Sequence, residues 1–130
     1  MFAATDALVR ELVAHFASAA GVTHQISVFT DAAVFERWRK RRGSMTEDER
    51  EHLDSGFALS FYRATKPHEV YLNPPRHVSP RELMDTAAHE ITHLRWRRLP
   101  HGRTFERRVE ALLAGYTCGP KSERLPEAFR

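Results

Sequence analysis

The segment HEITH, residues 89–93, combines side chains that could do chemistry together. On a helix, His89 and His93 lie one turn apart on the same side, so both imidazoles can bind one metal ion. Glu90 lies beside them in the H-E-x-x-H arrangement, in which the glutamate takes a proton from an attacking water. We therefore predict a metal site with His89 and His93 as ligands and Glu90 as the catalytic general base.

A third histidine, His101, follows at a point where the helix must end. A catalytic zinc ion takes three protein ligands and keeps one position open for water or substrate. Pro100 cannot continue the helix, so the chain turns there and can bring His101 toward the ion from another direction. His89, His93 and His101 are therefore the predicted ligands of a Zn²⁺ cofactor.

The histidines require a stable helix, and residues 80 to about 97 have the features of one. Ser79 is the predicted N-cap, Pro80 occupies the first helical position and Glu82 the third. At ~100° per residue, an apolar stripe forms on a side of the helix away from both histidines. The stripe consists of Leu83, Met84, Ala87, Ile91 and Leu94. We expect it to pack in the core while another side presents the imidazoles.

The remaining sequence predicts a small α+β domain that spans residues 1–130 as one unit. Two further helices are predicted, over 5–19 with Thr5 as N-cap and Gly21 as stop, and over about 103–114. Alternating apolar and polar residues predict three strands, over 24–30, 57–64 and 69–73. The last two are close enough for an antiparallel hairpin. We expect a short, mainly antiparallel sheet packed by an N-terminal helix, the histidine helix and a C-terminal helix.

Two stretches lack a regular pattern of apolar residues that would indicate which side chains are buried. Residues 40–55 are polar and charged, and we interpret them as a mobile loop or a short exposed helix. Thr46 and Glu49 within this stretch have the spacing of a capping box, which would begin such a helix. The tail over 117–130 contains two prolines and a glycine, so we predict that it is irregular.

The longer segment HEITHLRWRRLPHGRTF resembles the HExxH…HGxxF signature of small SprT-like, WLM and YgjP-like zinc metallopeptidases. The resemblance covers about residues 57–114, because a strand and a proline-led helix also precede the motif, in VYLNPPRHVSPRELMDTAAHEITH. It implies a minimal zincin fold in which the three histidines bind zinc and Glu90 activates water to hydrolyse peptide bonds in protein substrates. SprT-like members often carry a C-terminal cysteine zinc ribbon, which this chain cannot form with its single cysteine.

Several roles stay open on the sequence alone. Glu106 could replace His101 as the third ligand, as carboxylates do in gluzincin-type sites. The donor that stabilises the oxyanion could be one of three tyrosines: Tyr62, Tyr71 or Tyr116. In zincins the substrate commonly lies along a sheet edge as an added strand, and the segment from Phe57 to Arg63 is the candidate for that edge.

The basic stretch RWRKRR, residues 37–42, has two interpretations. It could bind nucleic-acid phosphates while Trp38 stacks on a base, or it could be a solvated loop whose tryptophan packs on the body of the domain. A second basic segment, LRWRR at 94–98, lies next to the predicted metal site. The formal net charge of +3 permits contact with DNA but does not require it.

Three functions are compatible with these features. The first is a general zinc metallopeptidase, the second a partner-specific regulatory protease of the ImmA-like kind, and the third a non-enzymatic zinc-containing module that binds nucleic acid. The single cysteine, Cys118, excludes a disulfide framework, and no apolar run reaches the ~18 residues of a membrane span. We expect a cytoplasmic monomer that acts on a protein or peptide substrate without membrane contact.

Overall fold

The computed structural model describes residues 2–41, 43, 46–55, 58–120 and 125–130. Within these ranges the helices are α1 (Asp6–Ala20), α2 (Ala32–Lys40), α3 (Glu47–Ser55), α4 (Pro80–Arg95) and α5 (Arg103–Leu113). The strands are β1 (Ile26–Phe29), β2 (Ala58–Phe61) and β3 (His68–Leu72), and short 3₁₀ turns cover Pro74–Arg76 and Glu127–Phe129. The predicted α+β class is therefore confirmed. None of the helices in the described part has the length and apolar character needed to cross a bilayer.

The three strands form one sheet with β3 in the centre and β1 and β2 at its edges. β2 pairs antiparallel with β3, with Leu59 opposite Tyr71, as predicted for the hairpin. β1 pairs parallel with β3, with Val28 opposite Val70, so the sheet is mixed rather than mainly antiparallel as expected. Parallel neighbours need a long crossover connection, which the chain between β1 and β3 supplies through α2, α3 and β2.

The main core fills the space between one face of the sheet and helices α1, α4 and α5. β3 is buried on both faces, with Val70 and Leu72 in this core and Tyr71 in a smaller cluster with Phe35 and Leu53 of α2 and α3. Each large apolar side chain that is fully buried contributes about 1.5–3 kcal/mol of transfer free energy. The largest contributors to the main core include Val9, Val13, Phe16, Leu83, Ile91 and Leu112.

Helix α1 begins and ends as the sequence predicts. The hydroxyl of Thr5 accepts the backbone N–H of Leu8 at 3.2 Å. Gly21 ends the helix at a φ of 78°, a left-handed conformation that glycine adopts without steric cost. A Cβ atom at Gly21 would also lie 2.5 Å from the carbonyl oxygen of Cys118, so the missing side chain lets the later segment approach closely.

Of the two interpretations of residues 40–55, the short exposed helix is the one that the structure has, as α3. The capping box is formed in both directions. The backbone N–H of Glu49 donates to Thr46 Oγ1 at 3.1 Å, and the backbone N–H of Thr46 donates to the Glu49 carboxylate at 2.9 Å. Residues 42, 44 and 45 of this stretch, and residue 57 of the predicted strand, lie outside the described residues.

The predicted irregular tail packs on the domain where the structure describes it. Phe129 is fully buried, with its ring 5.9 Å from that of Trp96. The guanidinium of Arg108 donates to the backbone carbonyl of Phe129 at 3.1 Å, which ties the last 3₁₀ turn to α5. Residues 121–124 of the tail lie outside the described residues. The last described segment is therefore part of the core rather than an appendage.

A buried carboxylate, that of Glu69 on β3, joins α2 to the sheet. It accepts hydrogen bonds from the indole N–H of Trp38 at 2.9 Å and from Arg39 at 3.0 Å, and it forms a longer salt bridge with Arg63 at 3.5 Å. The Glu69 side chain is 0% exposed, and these donors offset the cost of removing its charge from water. Trp38 therefore packs on the body of the domain, as one interpretation of RWRKRR expected, but residues 37–40 belong to helix α2 and not to a loop. Arg42 of that stretch is outside the described residues.

We expect Glu69→Gln to lower the free energy of unfolding by about 3 kcal/mol, because it leaves partly buried guanidinium groups without their counter-charge. Glu36→Gln is the matched control, since the Glu36 carboxylate pairs with Lys40 and Arg50 in solvent-exposed contacts. Its effect should stay within about 0.5 kcal/mol. Urea denaturation of both variants measures the difference, and equal effects would contradict the structural role of Glu69.

Candidate metal centre

Helix α4 carries two of the three candidate ligands, and its start is fixed by the predicted cap. The hydroxyl of Ser79 accepts the backbone N–H of Glu82 at 3.2 Å. The Glu82 carboxylate in turn accepts the backbone N–H of Val78 at 3.0 Å. Pro80 occupies the first helical position, where its missing N–H removes no helical hydrogen bond. These contacts fix the residue at which α4 begins.

The apolar stripe of α4 faces the core as predicted. Its members Leu83, Ala87, Ile91 and Leu94 are all at most 3% exposed. His89 and His93 lie on a different side of the helix and are half-buried. One helix therefore contributes both to the core and to the candidate site.

His101 approaches the same point from the turn between α4 and α5. The backbone N–H of Leu99 donates to the carbonyl of Trp96 at 3.0 Å, which closes a turn directly after the helix. The chain then passes Pro100 and enters α5. The His101 ring centroid lies 5.1 Å from that of His89 and 4.7 Å from that of His93. The break after α4 therefore places the third imidazole beside the other two.

The three imidazoles direct their Nε2 atoms toward one another. His93 Nε2 lies 3.1 Å from His89 Nε2 and 2.8 Å from His101 Nε2. A tetrahedral ion with nitrogen ligands at ~2.0–2.1 Å separates each pair of ligand atoms by about 3.3 Å. Imidazole nitrogens suit zinc, copper, iron or nickel. The three histidines are thus close enough together to hold a metal ion.

Burial keeps the two histidines of α4 neutral at neutral pH. It lowers the pKa of His93 to about 4, and the neighbouring His89 and His101 lower it further in the same direction. The pKa of His89 is also lowered, by burial and then by His101. A neutral imidazole has the free lone pair that a metal ion binds, so both rings of α4 are in the ligating protonation state at pH 7.

Phe105 forms the surface on which all three imidazoles rest. It is 1% exposed, and its ring centroid lies between 4.6 and 5.0 Å from the three histidine centroids. Helix α5 carries Phe105, so this helix positions the ring that contacts all three imidazoles and also packs in the core. Such contacts restrict ring rotation and pre-orient ligands. The HGxxF motif was the one signal for Phe105 in the sequence, and it did not reveal contact with every ring.

The histidines lie in a cleft of about 780 Å³ between α4 and β2. Glu90 is 7% exposed and lines the same cleft. The opposite wall comes from β2 and the residue just beyond it: Ala58, Leu59, Ser60 and Tyr62. A cleft of this size holds a small ligand or a short peptide segment. The predicted base and the predicted ligands therefore share one accessible space.

Of the three tyrosines considered as oxyanion donors, Tyr62 is the one that lines the cleft. Tyr71 is buried on the other face of the sheet against Phe35, and Tyr116 is 53% exposed beyond α5. The Tyr62 ring centroid lies 4.7 Å from that of His68. Burial lowers the pKa of His68 to about 4, so Tyr62 rests on a neutral imidazole at pH 7.

Glu106, the alternative third ligand, is not one of the residues that converge at this point. In the described part of the chain, the convergent group is His89, His93 and His101, whose ligand atoms all lie within 4.8 Å of one another. Phe105 turns toward the imidazoles, and the next residue on a helix is rotated by ~100°. Glu106 is accordingly exposed to solvent.

Comparisons of the chain with protein-family models, with curated proteins and with solved structures found no match. The resemblance to SprT-like and related peptidases therefore stays a prediction made from the motif. Function has to be inferred from the site itself, which consists of three convergent imidazoles, one nearby carboxylate and the cleft that encloses them.

We expect the purified protein to bind about one metal ion per chain, because three ligands that are already convergent bind without reorganisation. His101→Ala should weaken metal binding by more than about 100-fold, the upper end of what loss of an outer-shell partner costs. Glu106→Ala is the matched control, because Glu106 is the alternative ligand and lies in the first turn of α5. This variant should bind metal like wild type. Metal analysis by mass spectrometry measures all three. Metal loss in Glu106→Ala alone would contradict the three-histidine site.

Proposed function

We propose that the protein is a zinc-dependent metallopeptidase that hydrolyses peptide bonds in protein or peptide substrates. The observation that carries the proposal is the convergence of three imidazole nitrogens in an open cleft that Glu90 also lines. Among the described residues, no cysteine, aspartate, glutamate or further histidine joins this group. Structural zinc sites are closed by four protein ligands, so a three-ligand site with an open side favours catalysis.

The cleft supports a peptide as the substrate. Its wall opposite α4 is β2, an edge strand of the sheet, and an extended peptide can add to such an edge through main-chain hydrogen bonds. Peptide added in this way would lie between β2 and the histidines. The candidate edge of 57–63 agrees with this position, although residue 57 itself lies outside the described residues.

In the proposed reaction, the three histidines hold Zn²⁺ and Glu90 transfers the proton. Zinc held by these residues would supply Lewis acidity, which would lower the pKa of a water to about 7 and favour negative charge on the carbonyl oxygen. Glu90 accepts the proton of the attacking water as the C–O bond forms, and it delivers that proton to the leaving amine as the C–N bond breaks. The hydroxyl of Tyr62, in the same cleft, donates a hydrogen bond to the carbonyl oxygen as charge develops there.

A nucleic-acid-binding module with a structural zinc receives less support from the site. Trp38, the candidate for base stacking, and Arg39 of the basic stretch are both engaged by the buried Glu69. A structural ion also has no use for a carboxylate placed beside it in an open cleft. A partner-specific regulatory protease would use the same catalytic groups and would differ only in which protein it cleaves.

The Glu90→Gln variant tests the proposed chemistry. We expect it to keep its metal and to lose cleavage of an unfolded reporter protein by about 10²–10⁴-fold, because glutamine cannot accept the proton. Asp85→Asn is the matched control, since Asp85 lines the same cleft but pairs with Arg81 at 3.2 Å. It should cleave within a few-fold of wild type. Cleavage by Glu90→Gln at the wild-type rate would show that the proposed base is wrong.

The Tyr62→Phe variant tests the proposed oxyanion donor. It keeps the ring that packs on His68 and removes only the hydroxyl. We expect kcat to fall about 100-fold with KM nearly unchanged, because the lost hydrogen bond acts mainly in the transition state. Tyr116→Phe, outside the cleft, is the control and should behave like wild type. A change in KM alone would assign Tyr62 to substrate binding instead.

A further inference from the structure

One end of the cleft carries a cation that the proposed reaction does not use. Arg97 follows α4 by two residues, is exposed to solvent, and lines the cleft together with the three histidines and Glu90. Its guanidinium carbon lies 4.3 Å from the centroid of the Tyr62 ring, a cation–π contact between the segment that follows α4 and the residue that follows β2. The pair therefore borders the space that a bound substrate would enter.

Arg97 has no carboxylate partner within the part of the chain that the structure describes. Asp6, Glu36, Glu69 and Asp85 are each paired with another cation. Asp85, the other acidic residue on the cleft wall besides Glu90, is engaged by Arg81 at 3.2 Å. The positive charge of Arg97 is therefore available to a ligand in the cleft.

A stack of rings holds this guanidinium in place. Tyr62 packs on His68, which is 3% exposed, and His68 in turn stacks on His24 with centroids 4.2 Å apart. His68 Nδ1 accepts the backbone N–H of Arg63 at 2.9 Å, which fixes the orientation of its ring. A guanidinium that lies over an aromatic face keeps the N–H donors at its edge free for a planar, bidentate partner.

We propose that Arg97 determines substrate specificity by binding a carboxylate of the peptide close to the scissile bond. This inference rests on the proposed peptidase function. A carboxylate matches the guanidinium in charge and in its two-point geometry. It could come from an aspartate or glutamate side chain or from the C-terminus of the peptide, and both sources present the same group.

The test measures binding as well as cleavage. Short fluorescein-labelled peptides are made in sets that differ only in carrying Glu, Gln or Lys at one position, each with a free and with an amidated C-terminus. Fluorescence anisotropy on the Glu90→Gln protein gives affinities without turnover. We expect carboxylate peptides to bind about three- to tenfold more tightly than their neutral counterparts. Loss of the preference on Glu→Gln identifies the side chain, and loss on amidation identifies the C-terminus.

Substitutions of Arg97 test whether its guanidinium causes the preference for carboxylate peptides. Arg97→Gln should abolish the preference, and Arg97→Glu should reverse it in favour of the Lys peptides. Arg98→Glu is the matched control, because Arg98 is the next residue, is exposed, and is not part of the cleft wall. It changes the net charge by the same amount and should keep the wild-type ranking. An unchanged ranking in Arg97→Glu, or peptides that do not bind at all, would overturn the proposal.

The two proposals can fail separately. Cleavage that depends on Glu90 but does not vary with Arg97 would remove only the specificity assignment. A ranking that depends on Arg97, without any cleavage that depends on Glu90, would remove the peptidase function and leave a carboxylate-binding cleft.

Discussion

Helix α4 packs in the core on one side and lines the cleft on another, and the rest of the site depends on this arrangement. Its apolar stripe is fixed in the core against α1, α5 and β3, while the imidazoles on another side border the cleft. A shift of the helix by one residue would rotate it by ~100° and exchange buried leucines for histidines. Close packing of the stripe forbids that rotation. The direction of the two α4 ligands is therefore set by the core and not by the ion they could bind.

Two groups of polar side chains in the described part of the chain differ in what satisfies them. On one face of the sheet, Glu69 is fully buried, and its charge is met by donors from the chain itself, among them Trp38 and Arg39. On the other side of the molecule, three imidazole nitrogens are directed mainly at one another. A single cation would accept a lone pair from each of the three imidazoles at once. The first arrangement stabilises the fold, and the second is suited to a ligand.

The candidate chemistry and the candidate substrate contacts come from different elements. Helix α4 supplies two ligands and the carboxylate, and the turn after it supplies the third ligand. Strand β2 supplies an edge along which a peptide backbone could pair, and Tyr62 follows that strand directly. Helix α5 contributes Phe105, whose ring packs against all three imidazoles. Because these elements meet at one cleft, a peptide on β2 would pass in front of the groups that could cleave it.

Local sequence patterns predict α4, its cap at Ser79 and the grouping of the histidines, because caps, helical periodicity and a proline break act within a few residues. Tertiary packing sets the parallel pairing of β1, the place of Tyr62 rather than Tyr71 or Tyr116 on the cleft wall, and the contact of Phe105 with every imidazole. The same holds for Trp38, whose partner Glu69 is 31 residues away in the chain. Such contacts follow from the register of the sheet and the packing of distant helices, which no local pattern encodes.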